Sequence, residues 1–99
     1  MNSNIAEDIC LNPNITIEAL IELSKNKYWR IRQAVAKHIK TPIEILEKLS
    51  KDEDWRVRLH IIFNSNSPLE VLIELSKDEI VPISEVAKQA RINRISLLK

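Results

Sequence analysis

Leu49-Ser50-Lys51 has identical copies at Leu23-Ser24-Lys25 and Leu75-Ser76-Lys77, each 26 residues from the next. The same register aligns Leu20, Leu46 and Leu72, Glu18, Glu44 and Glu70, Trp29 with Trp55, and Arg30-Ile31-Arg32 with Arg56-Val57-Arg58. Self-similarity at a fixed period marks an architecture of stacked supersecondary units rather than a single irregular core. Three full units, 15–40, 41–66 and 67–92, stand between a half unit at 1–14 and a partial one at 93–99. Together they make a single helical-repeat domain.

Each unit reads as two helices. Thr41-Pro42-Ile43-Glu44 and Ser67-Pro68-Leu69-Glu70 resemble helix starts, with a capping hydroxyl, a proline at the first helical position and a glutamate three residues after the cap. In the first unit these columns hold Ile15 and Thr16, so that start is less well specified. Along this helix A, Ile43, Leu46 and Leu49 predict one apolar stripe, and Leu69, Leu72 and Leu75 its copy. Helix B is expected to begin at Trp29, Trp55 and about Pro82, with Asp54 as an N-cap. Its buried face is expected to hold Ile31, Val35 and Ile39, then Val57, His60 and Ile61, then Ile83, Val86, Ala87 and Ala90. Glycine is absent, so helix ends are expected at asparagines such as Asn64, Asn66 and Asn93, which tolerate turning conformations. Arg94 to Leu98 aligns with the start of a further helix A. Stacked helix pairs of this kind form an all-α, slightly curved solenoid in which each pair contacts its neighbours.

The totals bound the function. At 99 residues, with 44% apolar and 29% charged side chains, the chain suits one globular domain. A formal net charge of +1 gives no global attraction to nucleic acid or membrane. The single cysteine, Cys10, forms no internal disulfide and supplies no cysteine metal cage, and Met1 to Asp8 has no basic, apolar leader pattern. A cytoplasmic protein without cofactor or metal is the expectation. No apolar run is long enough to span a bilayer.

Asp52-Glu53-Asp54-Trp55-Arg56-Val57-Arg58, preceded by Pro42 to Ser50, resembles the leucine-rich repeat variant family and, more loosely, HEAT repeats, over nearly the whole chain. The resemblance implies a right-handed superhelix in which one helix of each pair is short or of the 3₁₀ kind, with helix B the less secure. It further implies a ladder in which a turn aspartate meets an early helix B arginine of a neighbouring unit, mapping onto Asp52 and Asp78 with Arg32 and Arg58. Asn26 and Ser84 depart from that pattern. Iron-sulfur modules carried by some relatives need several cysteines, which Cys10 does not provide.

Charge is unevenly placed. The three helix B segments hold nine basic residues and one acid, Glu85, whereas the remainder holds six basic and thirteen acidic residues. Arg30, Lys37, Lys40, Arg56, Lys88 and Arg91 are the candidate partner-binding residues, set to receive an acidic segment of a protein or peptide. Arg30 and Arg56 share one column and project in parallel, with Arg32 and Arg58 roughly 200° around the helix. Trp29 and Trp55 beside arginines suit base stacking, which makes weak binding of nucleic acid or another anionic polymer the alternative. The simpler reading of both tryptophans is packing between units, and of the basic face a solvated surface. His38 and His60 occupy different columns with no accompanying acid-base pattern. No catalytic residue is assigned, and the expected chain is a monomer or weak oligomer that binds without catalysis.

Overall fold

A computed structural model of the chain describes residues 4–97. Among them are seven α-helices and no strand: α1 (Asn4–Leu11), α2 (Ile17–Leu23), α3 (Trp29–Lys37), α4 (Ile43–Leu49), α5 (Trp55–Phe63), α6 (Leu69–Leu75) and α7 (Val81–Ser96). Residues 1–3 and 98–99 of the expected terminal caps lie outside the described residues. The odd-numbered helices touch in chain order, α1 with α3, α3 with α5 and α5 with α7, and each even-numbered helix packs on an odd-numbered neighbour. Both helix types are α. The short one is helix A, with 7 residues in α4 against 9 in α5, so helix B is not the weaker member.

Helix A begins one residue later than the proline pattern predicts. Pro42 and Pro68 are extended N-caps that lie before the helix, not at its first position. The hydroxyls ahead of them serve the preceding helix: Thr41 Oγ1 donates to the Val35 carbonyl at 2.6 Å and Ser67 Oγ to that of Ile61 at 2.7 Å. The first unit, expected to be the least specified, has a side-chain cap that the others lack, because Thr16 Oγ1 accepts from the Ala19 amide. The serine of each Leu-Ser-Lys triplet closes helix A, donating to Ile21, Glu47 and Ile73 carbonyls in turn.

Helix B ends on side chains, with no residue at positive φ. Asn64 caps α5, but in extended geometry and not in the left-handed region. Its Oδ1 accepts from the Asn66 amide while its Nδ2 donates to Ala36 and His38 carbonyls. His38 repeats the device at the end of α3: Nδ1 accepts from the Lys40 amide and Nε2 reaches the Asn12 carbonyl at 3.1 Å. That arrangement requires the proton on Nε2. Asn12 itself accepts from Asn14. The next residue in this column is Ala90, which offers neither donor nor acceptor. Helix α7 accordingly runs on through Asn93 to Ser96, and the further helix A expected from Arg94 does not start. Arg94 instead donates to the Ser67 carbonyl at 2.6 Å.

The core lies between the two helix types. Leu20, Leu46 and Leu72 are fully buried, as are Val35, Val57 and Ile61, and Ile83 is nearly so. The stripe on α4 is Ile45, Leu46 and Leu49; Ile43 is 51% exposed. Three-residue steps drift 60° backwards each time, which carries Ile43 off the face that Leu49 occupies. On helix B, Ile39 lies beyond the end of α3 and is 72% exposed, while Ala34 and Ala36 are buried. His60 is half-buried, its Nδ1 2.9 Å from the Arg56 carbonyl one turn back. Val86 and Ala90 are partly buried against the core.

Candidate functional site

The exposed face of the odd-numbered helices carries the basic residues, and their first demand is internal. Arg32 Nε lies 2.8 Å from Asp52, and its Nη1 donates to the Asn26 carbonyl in the turn between α2 and α3 of its own unit. Arg58 does the same with Asp78 at 2.8 Å and the Asp52 carbonyl. Each arginine thus joins its own turn to the next, and the hydrogen bond to Asp52 holds the Arg32 guanidinium above its ordinary pKa. The aspartates shape the turns as well, since Asp52 and Asp78 Oδ1 accept from the amides of Asp54 and Ile80. Asn26 Oδ1 keeps that turn bond, accepting from the Tyr28 amide, but among the described residues the Asn26 side chain holds no guanidinium. Ser84 donates to the Val81 carbonyl.

Three of the six proposed partner-binding side chains are already held by hydrogen bonds or ion pairs within the chain. Asp54 caps α5 through the Arg56 amide and grips the Arg56 side chain at 2.8 and 3.0 Å. The Arg56 guanidinium also lies 3.7 Å from the centre of the Trp29 ring, a cation–π contact between units. Arg30 lies over the same ring at 4.8 Å, so the two arginines differ in that Arg56 alone is held by a carboxylate. Lys40 Nζ donates to the Pro13 and Ile15 carbonyls, and Lys88 pairs with Glu85 at 3.4 Å. Arg30, Lys37 and Arg91 have no ion-pair partner among the described residues. Arg30 and Lys37, seven residues apart on α3, share a face and are exposed. Arg91 lies nine residues from Pro82, which stands in the Arg30 column, and so points to the opposite side of α7. The contiguous basic patch is reduced to Arg30 and Lys37, with Arg56 beside them.

Comparison with protein-family models, curated proteins and solved structures finds no match.

A second feature of the face escapes the charge pattern. Pro82 replaces the arginine that would cover Trp55, and Ile80 stands where Asp54 would grip it. Trp55 is left 45% exposed at one end of an apolar groove of about 400 Å³ between α5 and α7, lined also by Leu59, Phe63, Ile80, Pro82 and Val86. Equivalent columns on α3 hold Gln33 and Lys37 where α5 has Leu59 and Phe63. The signal was present as a column-by-column change from polar to apolar. Cys10 is exposed and borders a separate cleft with Lys37 and Lys40, although the register aligns it with the buried Ala36 and Ile62. The histidines stay apart, His38 within the helix-end bonds and His60 against α3. No helix among the described residues is long and apolar enough to cross a membrane.

Proposed function

We propose that the chain is an α-solenoid of stacked helix pairs with a right-handed superhelix, as in leucine-rich repeat variant and HEAT-like chains, and that it binds a protein or peptide through its helix B face without catalysis. The observation that carries this reading is the division of labour among the basic side chains: Arg32, Arg58, Arg56 and Lys40 brace the scaffold, whereas Arg30, stacked on Trp29, and Lys37 are exposed on one face of it with no ion-pair partner among the described residues. Acidic side chains gather on the other side, where Glu18, Glu22, Glu44, Glu47, Glu70 and Glu74 are all exposed on helix A. The nucleic-acid alternative loses support because the Trp29 ring already carries a guanidinium.

The test compares affinity capture by the wild-type chain with capture by an Arg30→Glu, Lys37→Glu variant. Proteins retained by the first and lost by the second are the expected result. A capture pattern indifferent to the reversal sinks the reading, as does tight binding of a random oligonucleotide that falls steeply with added salt.

A further inference from the structure

We infer that the groove between α5 and α7 is an anchor site for a short amphipathic segment of the partner, one that inserts bulky apolar side chains over Trp55 and directs carboxylates toward Arg30 and Lys37. The inference deepens the function proposed above and rests on it.

The chain supplies its own reference for the occupant. At the step from α3 to α5, Trp29 is covered by Arg56, and Asp54 neutralises that cover. At the step from α5 to α7 the same positions are Pro82 and Ile80, so the indole keeps an open edge and nothing polar lines the opening. Phe63, 62% exposed, continues the apolar surface along α5. A volume of about 400 Å³ suits a few apolar side chains, within the range of concave sites that bury ligand groups. The lining holds no cation, and the guanidinium nearest the Trp55 ring, that of Arg56 at 5.7 Å, is already paired with Asp54, which argues against phosphate.

Charge complementarity sets the rest of the segment. Arg30 and Lys37 lie on α3, one helix beyond the near wall of the groove, a distance on the order of 15 Å at ordinary helix spacing. Acidic residues about that far from the anchors meet both cations at once, and an amphipathic segment laid across a groove presents its anchors on one face in this way.

The probe is a random dodecapeptide library displayed on phage and selected on the full chain. Selected peptides are synthesised and titrated against a Trp29→Phe variant, in which Trp55 is the remaining tryptophan. The expected consensus joins bulky apolar residues with aspartate or glutamate, and binding shifts Trp55 emission to the blue. Phe63→Glu is expected to weaken binding about tenfold or more, as is Arg30→Glu with Lys37→Glu. Helical circular dichroism checks that each variant is folded, and the Trp55 shift reads the groove without altering it. Peptides that respond to the α3 reversal but not to Phe63→Glu, and leave Trp55 emission unchanged, overturn the groove assignment and leave the binding module standing. Peptides indifferent to both variants overturn both. A consensus without acids, or no consensus, overturns the partner chemistry. Self-association abolished by Phe63→Glu makes a second copy the occupant and overturns it equally.

Discussion

Asp54 performs two tasks with one carboxylate, capping the first turn of α5 and fixing the Arg56 guanidinium against Trp29. The hydrogen bond from Arg56 is the main cause that lowers its pKa below the ordinary carboxylate value. A depressed folded-state pKa contributes stability that is complete above the unfolded value of about 3.9 and disappears as pH falls through the lower folded value. Asp54→Asn keeps a good cap but removes the charge. Its urea midpoint is therefore expected to respond less steeply to pH below about 4 than that of the wild type. Asp54→Ala loses the cap too, at about 1 kcal/mol by urea denaturation at neutral pH. A wild-type acid limb in the Asp54→Asn variant contradicts the assignment of that carboxylate. Arg56→Glu is expected to lower the melting temperature, whereas Arg30→Glu leaves it nearly unchanged.

At the scale of the helices, burial and capping follow rules that the amino-acid pattern shows only partly. Leu46 is fully buried in α4 and was legible as such, because the 26-residue register and the local stripe agree on it. Leu46→Ala is expected to destabilise by about 2 to 5 kcal/mol, measured by urea denaturation. A loss under about 1 kcal/mol would show that the site is not packed. Thr41 was misread because a hydroxyl before Pro-Ile-Glu fits two neighbouring helix ends, and periodicity does not say which one it serves. It bonds backwards, so Thr41→Ala is expected to fray α3 and cost about 1 kcal/mol through one lost hydrogen bond, the Val35 carbonyl keeping only the His38 amide. Amide exchange would then quicken at the end of α3 before the start of α4. The Asn12, His38 and Asn64 series was illegible for another reason. An asparagine and an imidazole share no identity in sequence, yet both offer one acceptor to the amide two residues on and one donor to the unit before.

Across the molecule, the ladder of Arg32 with Asp52 and Arg58 with Asp78 joins the central unit on both sides, and Asn26 and Ser84 leave it unextended. This pairing was legible only through the resemblance to HEAT-like units, because spacing alone does not say which carboxylate an arginine meets. A double-mutant cycle on Arg58→Ala and Asp78→Ala is expected to yield a coupling of about 1 to 3 kcal/mol. Additive losses would mean that the pair does not interact in solution. The groove over Trp55 was missed because it arises from a departure at Pro82 and Ile80, and a search for repeats rewards sameness.

Apart from Thr41 and Ser67, which reach back six positions, the side-chain hydrogen bonds between units join residues 20 to 28 positions apart. No described bond of this kind asks one end of the chain to find the other, so the loop that must close is the same size at every step. Chain search is therefore brief, and refolding in a stopped-flow or temperature-jump experiment is expected within milliseconds. Assembly can begin in the middle, at Arg58 and Asp78, and spread outward by repetition of one short closure.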